Sequence, residues 1–283
     1  MPCGVFAAER LHILLTNDDG IEAPGIKAVE SALIEAGYRL SVVAPRNQQS
    51  ATSMKVTTKQ LSFEQLAANR WAIEGSPADS VAVALDVFLA DDLPDLIISG
   101  ANFGQNLGSN TNLSGTVGAA LMGMQMGIPG IAVSVGLHMD EASAKPTRFP
   151  STLNAFQAAA EFTIELIQAL ERARTSATTP FLPANMVLNV NYPALKPDQV
   201  KGPRIANVAR RGGFVAKYLP QDNGKDLKID LLHEKRTDPT TANADIDLFN
   251  DGYITISVLN GNLGAAPDAN HAIENRLSEL FDQ

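Results

Sequence analysis

Cysteine is almost absent from the sequence, since Cys3 is the only one among 283 residues. No disulfide can therefore form within the chain, which excludes a disulfide-stabilised secreted domain. Basic residues are also scarce: 22 lysines and arginines stand against 31 acidic residues, for a formal net charge of −9. That balance argues against duplex nucleic acid as a partner, because proteins that bind it carry a basic surface.

Long hydrophobic runs are missing as well. The stretch MPCGVFAAERLHILL has no basic region followed by a long apolar segment, so we expect no signal peptide and no membrane span. The chain is 45% hydrophobic and 19% charged, which is ordinary for a soluble globular protein. We therefore expect a cytoplasmic protein that is long enough to bury a substantial core.

Several familiar catalytic motifs are absent. There is no GxxxxGKS/T loop, no GxGxxG after the first strand, no HExxH and no cluster of cysteine and histidine for zinc. Asp245 and Asp247 form a DxD late in the chain, whereas haloacid-dehalogenase phosphatases carry theirs directly after the first strand. The four histidines are scattered, at His12, His138, His233 and His271. We expect the first to serve a strand and the others to lie on the surface rather than in a catalytic site.

Short apolar segments alternate with amphipathic ones through the first half of the sequence. The predicted strands are LHILLTN, RLSVVAP, KVTTKQLSF, RWAIEG, DLIISG and GIAVSV. Helices are predicted to begin at Pro24, Pro77 and Ser114, and a long one to run from about Ser151 to Arg174. Buried strands separated by helices are typical of a doubly wound sheet. The sequence therefore predicts a three-layer α/β fold with a Rossmann-like, mostly parallel sheet.

The character of the sequence changes after about Lys201, where glycine, asparagine and aspartate become more frequent. The segment GYITISVL is the clearest strand in this part, and ANHAIENRLSELFDQ has the pattern of an amphipathic helix. We expect residues 1–200 to form the Rossmann-like core. Residues 201–283 are predicted to form a C-terminal extension of the same domain, made of irregular β-hairpins and a helix.

Two adjacent carboxylates, Asp18 and Asp19, follow the first apolar run. Ligands of an open parallel sheet bind at the carboxyl ends of its strands. Neighbouring strand residues point to opposite faces, but Gly20 permits a bend that would bring both carboxylates to one site. The pair is consistent with half of a site for Mg²⁺, Mn²⁺ or Ca²⁺. An ordinary Asn-Asp-Asp-Gly turn fits the same residues, and the stretch alone favours that interpretation.

A glycine- and asparagine-rich loop follows the DLIIS strand. Three glycines are spaced four residues apart, with Asn102 and Asn106 between them. Such a loop lets backbone amides approach a ligand closely, and asparagine supplies an oxygen for a metal or a donor for a phosphate. The loop ends at Ser114, where free amides at a helix start attract phosphate oxygens. A long surface loop capped by a serine is an equally good interpretation.

Six segments in fixed order resemble the survival-protein SurE family of metal-dependent nucleotidases. They are ILLTNDDG, PRNQQSAT, GSPADSV, SGANFGQNLG, SGTVGAA and GIPGIAVS. Each is modest alone, but six in this order are highly specific. The resemblance is strong from about Leu11 to Ser134 and looser through LNVNYP and DIDLFNDGYITISVL. It implies a 5′-nucleotidase, a phosphomonoesterase that acts on nucleoside 5′- and 3′-monophosphates and on short polyphosphate.

The resemblance also implies the site residues and the assembly. One divalent metal ion per subunit would be held by Asp18, Asp19, Ser50 and Asn102. The substrate phosphate would be bound by Asn106, Ser114, Gly115 and Thr116. Our own mechanistic hypothesis is that one of the two aspartates, Asp18 or Asp19, also accepts a proton from the attacking water. A homodimer or homotetramer is implied, with exchange of the C-terminal arm between subunits.

The sequence departs from the family pattern in three places. It has Pro45-Arg46-Asn47 where the family has Pro-Asp-Arg or Pro-Asp-Lys, Met54-Lys55 intervenes after the serine, and TISVL replaces SITPL. These changes spare the four metal positions and concern the substrate pocket and the arm. Two alternatives stay open: a metal-independent nucleotide-binding protein without hydrolase activity, and a phosphatase for a non-nucleotide phosphomonoester.

Overall fold

The computed structural model describes residues 10–143, 148–176, 179–222, 224–233, 237–264 and 267–277. The strands in these ranges are β1 (His12–Thr16), β2 (Arg39–Pro45), β3 (Phe63–Ala67), β4 (Arg70–Ile73), β5 (Leu96–Phe103), β6 (Gly130–Val135), β7 (Val187–Tyr192), β8 (Pro203–Ile205), β9 (Phe214–Pro220), β10 (Leu227–His233) and β11 (Ile254–Leu259). The helices are α1 (Pro24–Glu35), α2 (Pro77–Val83), α3 (Gly115–Gln125), α4 (Pro150–Ala173), α5 (Asp245–Asn250) and α6 (Pro267–Arg276). None of the helices described is long and apolar enough to span a membrane.

Nine of the strands form one central sheet in the order β3-β4-β2-β1-β5-β6-β7-β11-β8. The run from β4 to β7 is parallel throughout. Strand β3 is antiparallel to β4, and β11 is antiparallel to β7 while β8 runs parallel to β11. The predicted fold class, α/β with a mostly parallel sheet flanked by helices, is confirmed.

Helices cover both faces of the sheet, as the apolar strands require. Ile13 of β1 belongs to a core that includes Ile26 of α1 and Phe156 of α4. The next residue, Leu14, belongs instead to a core with residues of α2 and α3, including Val81. Successive strand residues point to opposite faces, so the middle of β1, Ile13–Leu15, needs apolar side chains in succession. This double burial fixes the strand whose end carries the two aspartates.

One predicted strand is misplaced, and one predicted helix changes type along its length. The segment KVTTKQLSF was predicted to be a strand, but β3 begins only at its last residue. The carboxylate of Asp79 accepts hydrogen bonds from the N–H and the hydroxyl of Thr57, at 2.8 Å and 2.7 Å, so this backbone pairs with a side chain instead of a strand. The helix predicted for PADSVAVALDVFLA begins at Pro77 as expected, and its second half is a π-helical turn, Ala84–Phe88.

The part after Lys201 is more regular than its sequence predicts. Strands β8 and β11 join the central sheet, and β9 and β10 form a separate antiparallel hairpin. The helix expected near the end is present as α6 within the described residues. The β11–β7 pairing attaches this part of the chain to the core by a full strand ladder.

His12 is buried at the start of β1, as expected for a residue that serves the strand. The residue is 2% exposed, and its Nε2 atom lies 2.9 Å from the Ser41 hydroxyl. Burial lowers the pKa of His12, and the charge of Arg39 adds to this effect. The carboxylates of Asp92 and Asp95 oppose it only in part. The folded protein therefore favours the neutral imidazole.

This histidine should make folding stability sensitive to mild acid. Because the folded pKa lies below the unfolded one, its contribution is full above the unfolded pKa and is lost as the pH falls through that value. A His12→Gln variant does not titrate and keeps a hydrogen-bonding group for Ser41. We expect its free energy of unfolding in urea to fall less than that of the wild type between about pH 7.5 and about pH 5.5. Equal decreases in the two proteins would contradict this assignment.

Candidate active site

The chain leaves β1 through a tight turn that carries both aspartates. The Asn17 side-chain amide donates to the Gly20 carbonyl at 2.8 Å. Gly20 has a φ of 103°, which a residue with a side chain rarely adopts. The next residue, Ile21, donates its N–H to the Pro45 carbonyl at the end of β2. The turn is thus held against the neighbouring strand end.

Asp18 is almost fully buried and lies against the start of α3. Its side chain is 3% exposed, and its Oδ1 accepts a 2.6 Å hydrogen bond from the Thr116 hydroxyl. A Cβ atom added to Gly115 would lie 2.9 Å from Asp18 Cβ and 3.0 Å from its Oδ2. Only glycine lets the helix start approach so closely. Burial, and then the charge of Asp19, raise the pKa of Asp18 to about 7.

Asp19 reaches the end of β5. The Phe103 backbone N–H donates to its Oδ2 at 2.7 Å. The Gln48 side chain, from the loop after β2, forms a further hydrogen bond to it. Burial raises the pKa of Asp19, and the two donors reduce that effect. The carboxylate therefore has an orientation set by two neighbouring strand ends.

The loop that carries Ser50 is tied to the same place, although Ser50 itself is exposed. The preceding Gln49 donates its N–H to the Asp18 carbonyl at 2.6 Å. The Thr52 hydroxyl donates to the Gln49 carbonyl, and the Ser53 N–H donates to the Leu113 carbonyl. The loop thus bridges the end of β1 and the segment before α3. Its contacts bring the backbone next to Ser50, rather than the Ser50 hydroxyl, to Asp18.

Asn102 lies within β5, beside the Asp19 contact at Phe103. Its side-chain nitrogen donates to the Gly104 carbonyl at 2.6 Å. This bond fixes the amide so that its oxygen points away from Gly104. Asn102 is 8% exposed. Asn102 therefore presents a neutral, preoriented oxygen, one residue before the backbone N–H that binds Asp19.

Asn106 is held from several sides by buried polar residues. Its N–H donates to Asn191 Oδ1 at 2.7 Å, and its carbonyl accepts from the Asn189 and Asn191 side chains. Its own side-chain nitrogen donates to the Ser134 hydroxyl at 2.9 Å. One amide hydrogen of Asn106 is thereby used inside the protein, and the second is left for a ligand.

Ser114 is the N-cap of α3, as its position in the sequence predicts. Its hydroxyl accepts the Val117 N–H at 3.1 Å. The amides of Gly115 and Thr116 come earlier in the first turn, where no helical carbonyl is available to them. These amides carry the positive end of the helix dipole. The helix start and the Asp18 carboxylate therefore meet at one point.

Other residues considered from the sequence lie elsewhere. The His138 side chain is 37% exposed, with its Nδ1 4.0 Å from Asp140, and His271 is exposed. The His233 side chain lies outside the described residues. The late DxD falls on α5, where Asp245 is fully buried and accepts the Gly108 N–H.

Sequence reasoning missed the residues that hold the candidate ligands in place. Thr116 was predicted to bind phosphate, and the structure adds a second role, because its hydroxyl contacts Asp18. Gln48 and Asn191 were not considered at all. No local pattern marks them, because each acts on a residue brought near only by the order of strands in the sheet.

The carboxylate oxygens of Asp18 and Asp19 are the kind of ligand that a hard divalent cation prefers. No lysine, arginine or histidine in the described ranges forms an ion pair with either carboxylate. A buried acid beside a half-buried one favours either a proton or a cation between them. The described residues contain no group of three or more Asp, Glu, His or Cys able to hold a metal. A cation here would therefore also need neutral oxygens, such as those of Asn102 and Ser50.

Known proteins share both the sequence and the fold of this chain. The family model described as Survival protein SurE matches residues 13–213. A 5′-nucleotidase SurE of Caulobacter vibrioides is 34% identical over 280 residues, covering 91% of this chain and 98% of that protein. Another, from Methylococcus capsulatus, is 37% identical over 219 residues, covering 77% of this chain and 78% of that protein. The crystal structure of the SurE protein from Aquifex aeolicus, 26% identical, aligns with a TM-score of 0.74 and covers 95% of this chain and 99% of its own. The chain therefore belongs to the Survival protein SurE family.

Proposed function

We propose that this chain is a divalent-metal-dependent 5′-nucleotidase that hydrolyses nucleoside 5′-monophosphates to nucleoside and phosphate. The contact between Asp18 and the start of α3 carries this proposal, because it joins a cation-binding group and an anion-binding helix end in one site. The names of the relatives from C. vibrioides and M. capsulatus, both 5′-nucleotidases, support the substrate class. Activity on 3′-monophosphates and short polyphosphate belongs to the same proposal.

The metal ion would be held by Asp18, Asp19, Ser50 and Asn102. Each aspartate has one oxygen oriented by a protein donor, Thr116 for Asp18 and the Phe103 N–H for Asp19. A divalent cation held by these residues would offset the charge of the phosphate and would make water a better nucleophile. The Asn102 amide is already oriented by its hydrogen bond to Gly104, which leaves its oxygen for a cation.

The phosphate would lie at the first turn of α3. The N–H groups of Gly115 and Thr116 donate to its oxygens and stabilise the charge that builds up as water attacks phosphorus and the ester bond breaks. The Ser114 hydroxyl accepts from Val117, so its proton is free for a phosphate oxygen. The second amide hydrogen of Asn106 is available in the same way. One of the two aspartates accepts the proton of the water.

A substrate panel with and without metal tests this function. The wild-type protein should release phosphate from AMP and other nucleoside 5′-monophosphates with Mn²⁺ or Mg²⁺, and EDTA should stop the reaction. Nucleotide binding that survives EDTA without phosphate release would support a metal-independent binding protein instead. Faster release from sugar phosphates than from any nucleotide would support a phosphatase for non-nucleotide esters.

We also propose that residues 201–283 form an arm that joins subunits in a homodimer or homotetramer. The β9–β10 hairpin pairs with no other described strand, and isolated two-stranded hairpins are marginal in water. The cross-strand pair Tyr218 and Ile229 is about 60% exposed, and so is Leu227. An exposed apolar hairpin face is stabilised when a second copy of the chain covers it.

Polar substitutions on this face should reduce the mass of the assembly. We expect wild-type protein to scatter light as a dimer or tetramer at micromolar concentration, and Tyr218→Ser/Ile229→Ser to shift towards the monomer. Lys217→Ser changes the opposite face of the same strand and should leave the mass unchanged. A monomeric wild-type protein would count against the arm.

A further inference from the structure

Asp245 is a fully buried carboxylate that joins three segments of the chain. Its exposure is 0%, and it lies at the first residue of α5. Its Oδ2 accepts the Gly108 N–H at 2.8 Å, and its Oδ1 accepts the N–H groups of Ala209 at 3.0 Å and Ile246 at 2.8 Å. One side chain therefore fixes the glycine-rich loop to two parts of the C-terminal extension.

Gly108 occupies a critical place in the phosphate loop, which we define as residues 106–116. It begins the 3₁₀ turn Gly108–Leu113, which leads directly into the N-cap of α3. Its φ of 52° is left-handed, and an added Cβ would lie 2.1 Å from the Arg211 carbonyl oxygen. The C-terminal extension thus lies directly on this glycine, which directs the chain towards the helix start.

A second contact joins the same 3₁₀ turn to the extension. The Asn110 side chain donates to the Phe214 carbonyl at 3.1 Å and accepts the Phe214 N–H at 3.2 Å. Upstream, Asn106 is fixed by β7 through Asn191. The loop is therefore anchored at its beginning by the sheet and along its middle by the extension.

Asp245 is a fully buried carboxyl group that forms no ion pair with a described residue. No described lysine, arginine or histidine forms an ion pair with it, so its neutralisation comes from backbone N–H groups alone. Burial raises the pKa of Asp245, and these donors work against that effect. Hydrogen bonds to a carboxyl group are directional, so this one side chain fixes the backbone at Gly108, Ala209 and Ile246.

We propose that Asp245 is a positioning residue for phosphate binding: by holding Gly108, it sets where the amides at the start of α3 meet the substrate. The inference rests on the proposed nucleotidase function, in which those amides bind the phosphate. The hydrogen bonds of the Asp245 side chain go to Gly108, Ala209 and Ile246 and to none of the candidate metal ligands or α3 amides. Its effect should therefore appear in phosphate affinity and not in metal affinity.

The test compares Asp245→Asn with the wild-type protein. If asparagine keeps its oxygen on Ala209 and Ile246, its NH₂ group faces the Gly108 N–H, and two donors cannot bond to each other. We expect KM for AMP and the inhibition constant of inorganic phosphate to rise by roughly ten-fold or more, as for a lost hydrogen bond to a charged group. The Mn²⁺ dissociation constant should stay unchanged. Hydrogen exchange without substrate should become faster at the amides of residues 107–114.

Asp238→Asn is the matched control. Asp238 also accepts a backbone N–H of the extension, from Arg210 at 2.8 Å, together with the Thr240 and Thr241 hydroxyls. These donors hold the pKa of Asp238 below its usual value, and the carboxylate makes no hydrogen bond to the phosphate loop. This variant should keep KM and the phosphate inhibition constant within about two-fold of wild type, because only the loop contact is proposed to matter.

Three results would overturn the proposal. The first is hydrogen exchange at residues 107–114 that stays unchanged in a folded Asp245→Asn protein. The second is a change in kcat with no change in KM. The third is an equal rise of KM and of the phosphate inhibition constant in Asp238→Asn. If Asp245→Asn does not fold, Asn110→Ala removes the other contact of the same turn and should shift the phosphate constants in the same direction. If wild-type protein releases no phosphate from any nucleotide, the nucleotidase function fails, and the hydrogen-exchange comparison still decides whether Asp245 positions the loop.

Discussion

Asparagine at Asp18 or at Asp19 should reduce kcat/KM for AMP by about 100-fold or more in each single variant. Both changes keep the size of the side chain and remove one negative charge from the proposed cation site. The hydrogen bonds from Thr116 and Phe103 keep an oxygen to accept them, so the local geometry survives. Phosphate release in the presence of Mn²⁺ would measure the loss of activity. Calorimetric titration with Mn²⁺ would measure the loss of metal binding.

Asp18→Asn should not lower the stability of the folded protein when metal is absent. Burial and the charge of Asp19 raise the pKa of Asp18 to about 7. An acid whose folded pKa is raised carries a charge that costs stability once the pH exceeds its unfolded pKa. Metal-free Asp18→Asn should therefore have a Tm equal to or higher than that of the wild type. Added Mn²⁺ should raise the Tm of the wild type but not of the variant, because ligands stabilise only the state that binds them.

An exposed aspartate provides the control for these variants. Asp86→Asn alters an exposed residue in the π-helical turn after α2 and should keep the wild-type rate and the Mn²⁺-dependent rise in Tm. Near-wild-type AMP hydrolysis by a folded Asp18→Asn protein that contains no metal would refute the proposed role of the pair.

The strands and helices of the core can be predicted from the local pattern of apolar residues. Leu14 and its neighbours are apolar at every position because the β1 strand is covered on both faces. What local pattern does not predict depends on contacts with residues that are distant in the sequence. Thr57 was assigned to a strand because nothing nearby reveals that Asp79 holds its backbone. Strand β11 was recognised, but its place beside β7 depends on a pairing that local sequence does not encode.

The candidate site shows a similar limit. Adjacent aspartates after a strand, asparagines among glycines and a capped helix start are visible in the sequence. Their meeting point is not, since Asp18 bonds to Thr116 across 98 residues and Asp245 bonds to Gly108 across 137. Both contacts exist only because parallel strand ends and the C-terminal extension converge on one edge of the sheet. Residues that position a site through hydrogen bonds to distant parts of the chain are therefore recognised only in the three-dimensional structure.

Alanine at Gly118 should reduce kcat/KM for AMP by up to about 100-fold, because small displacements of catalytic groups have effects of this size. A Cβ atom at this position of α3 would lie 2.2 Å from the Ser53 carbonyl oxygen and 2.5 Å from its carbon. A backbone carbonyl cannot rotate away as a side chain can. Ser53 is also held by Leu113 and Asn112, so relief of the overlap moves the whole loop that carries Ser50. The variant should bind Mn²⁺ more weakly as well as reacting more slowly.

Gly123→Ala on the same helix separates this displacement from a general effect of packing. Its Cβ would lie 2.2 Å from Ile97 Cδ1, the far end of a flexible side chain, and its next contacts are at 3.4 Å or more. Both variants gain the same helix propensity, about 1 kcal/mol relative to glycine. Gly123→Ala should therefore change the Tm while keeping kcat/KM and Mn²⁺ affinity within about two-fold of wild type. Equal losses of activity in the two variants would show that α3 packing as a whole, rather than the position of the Ser50 loop, controls the site.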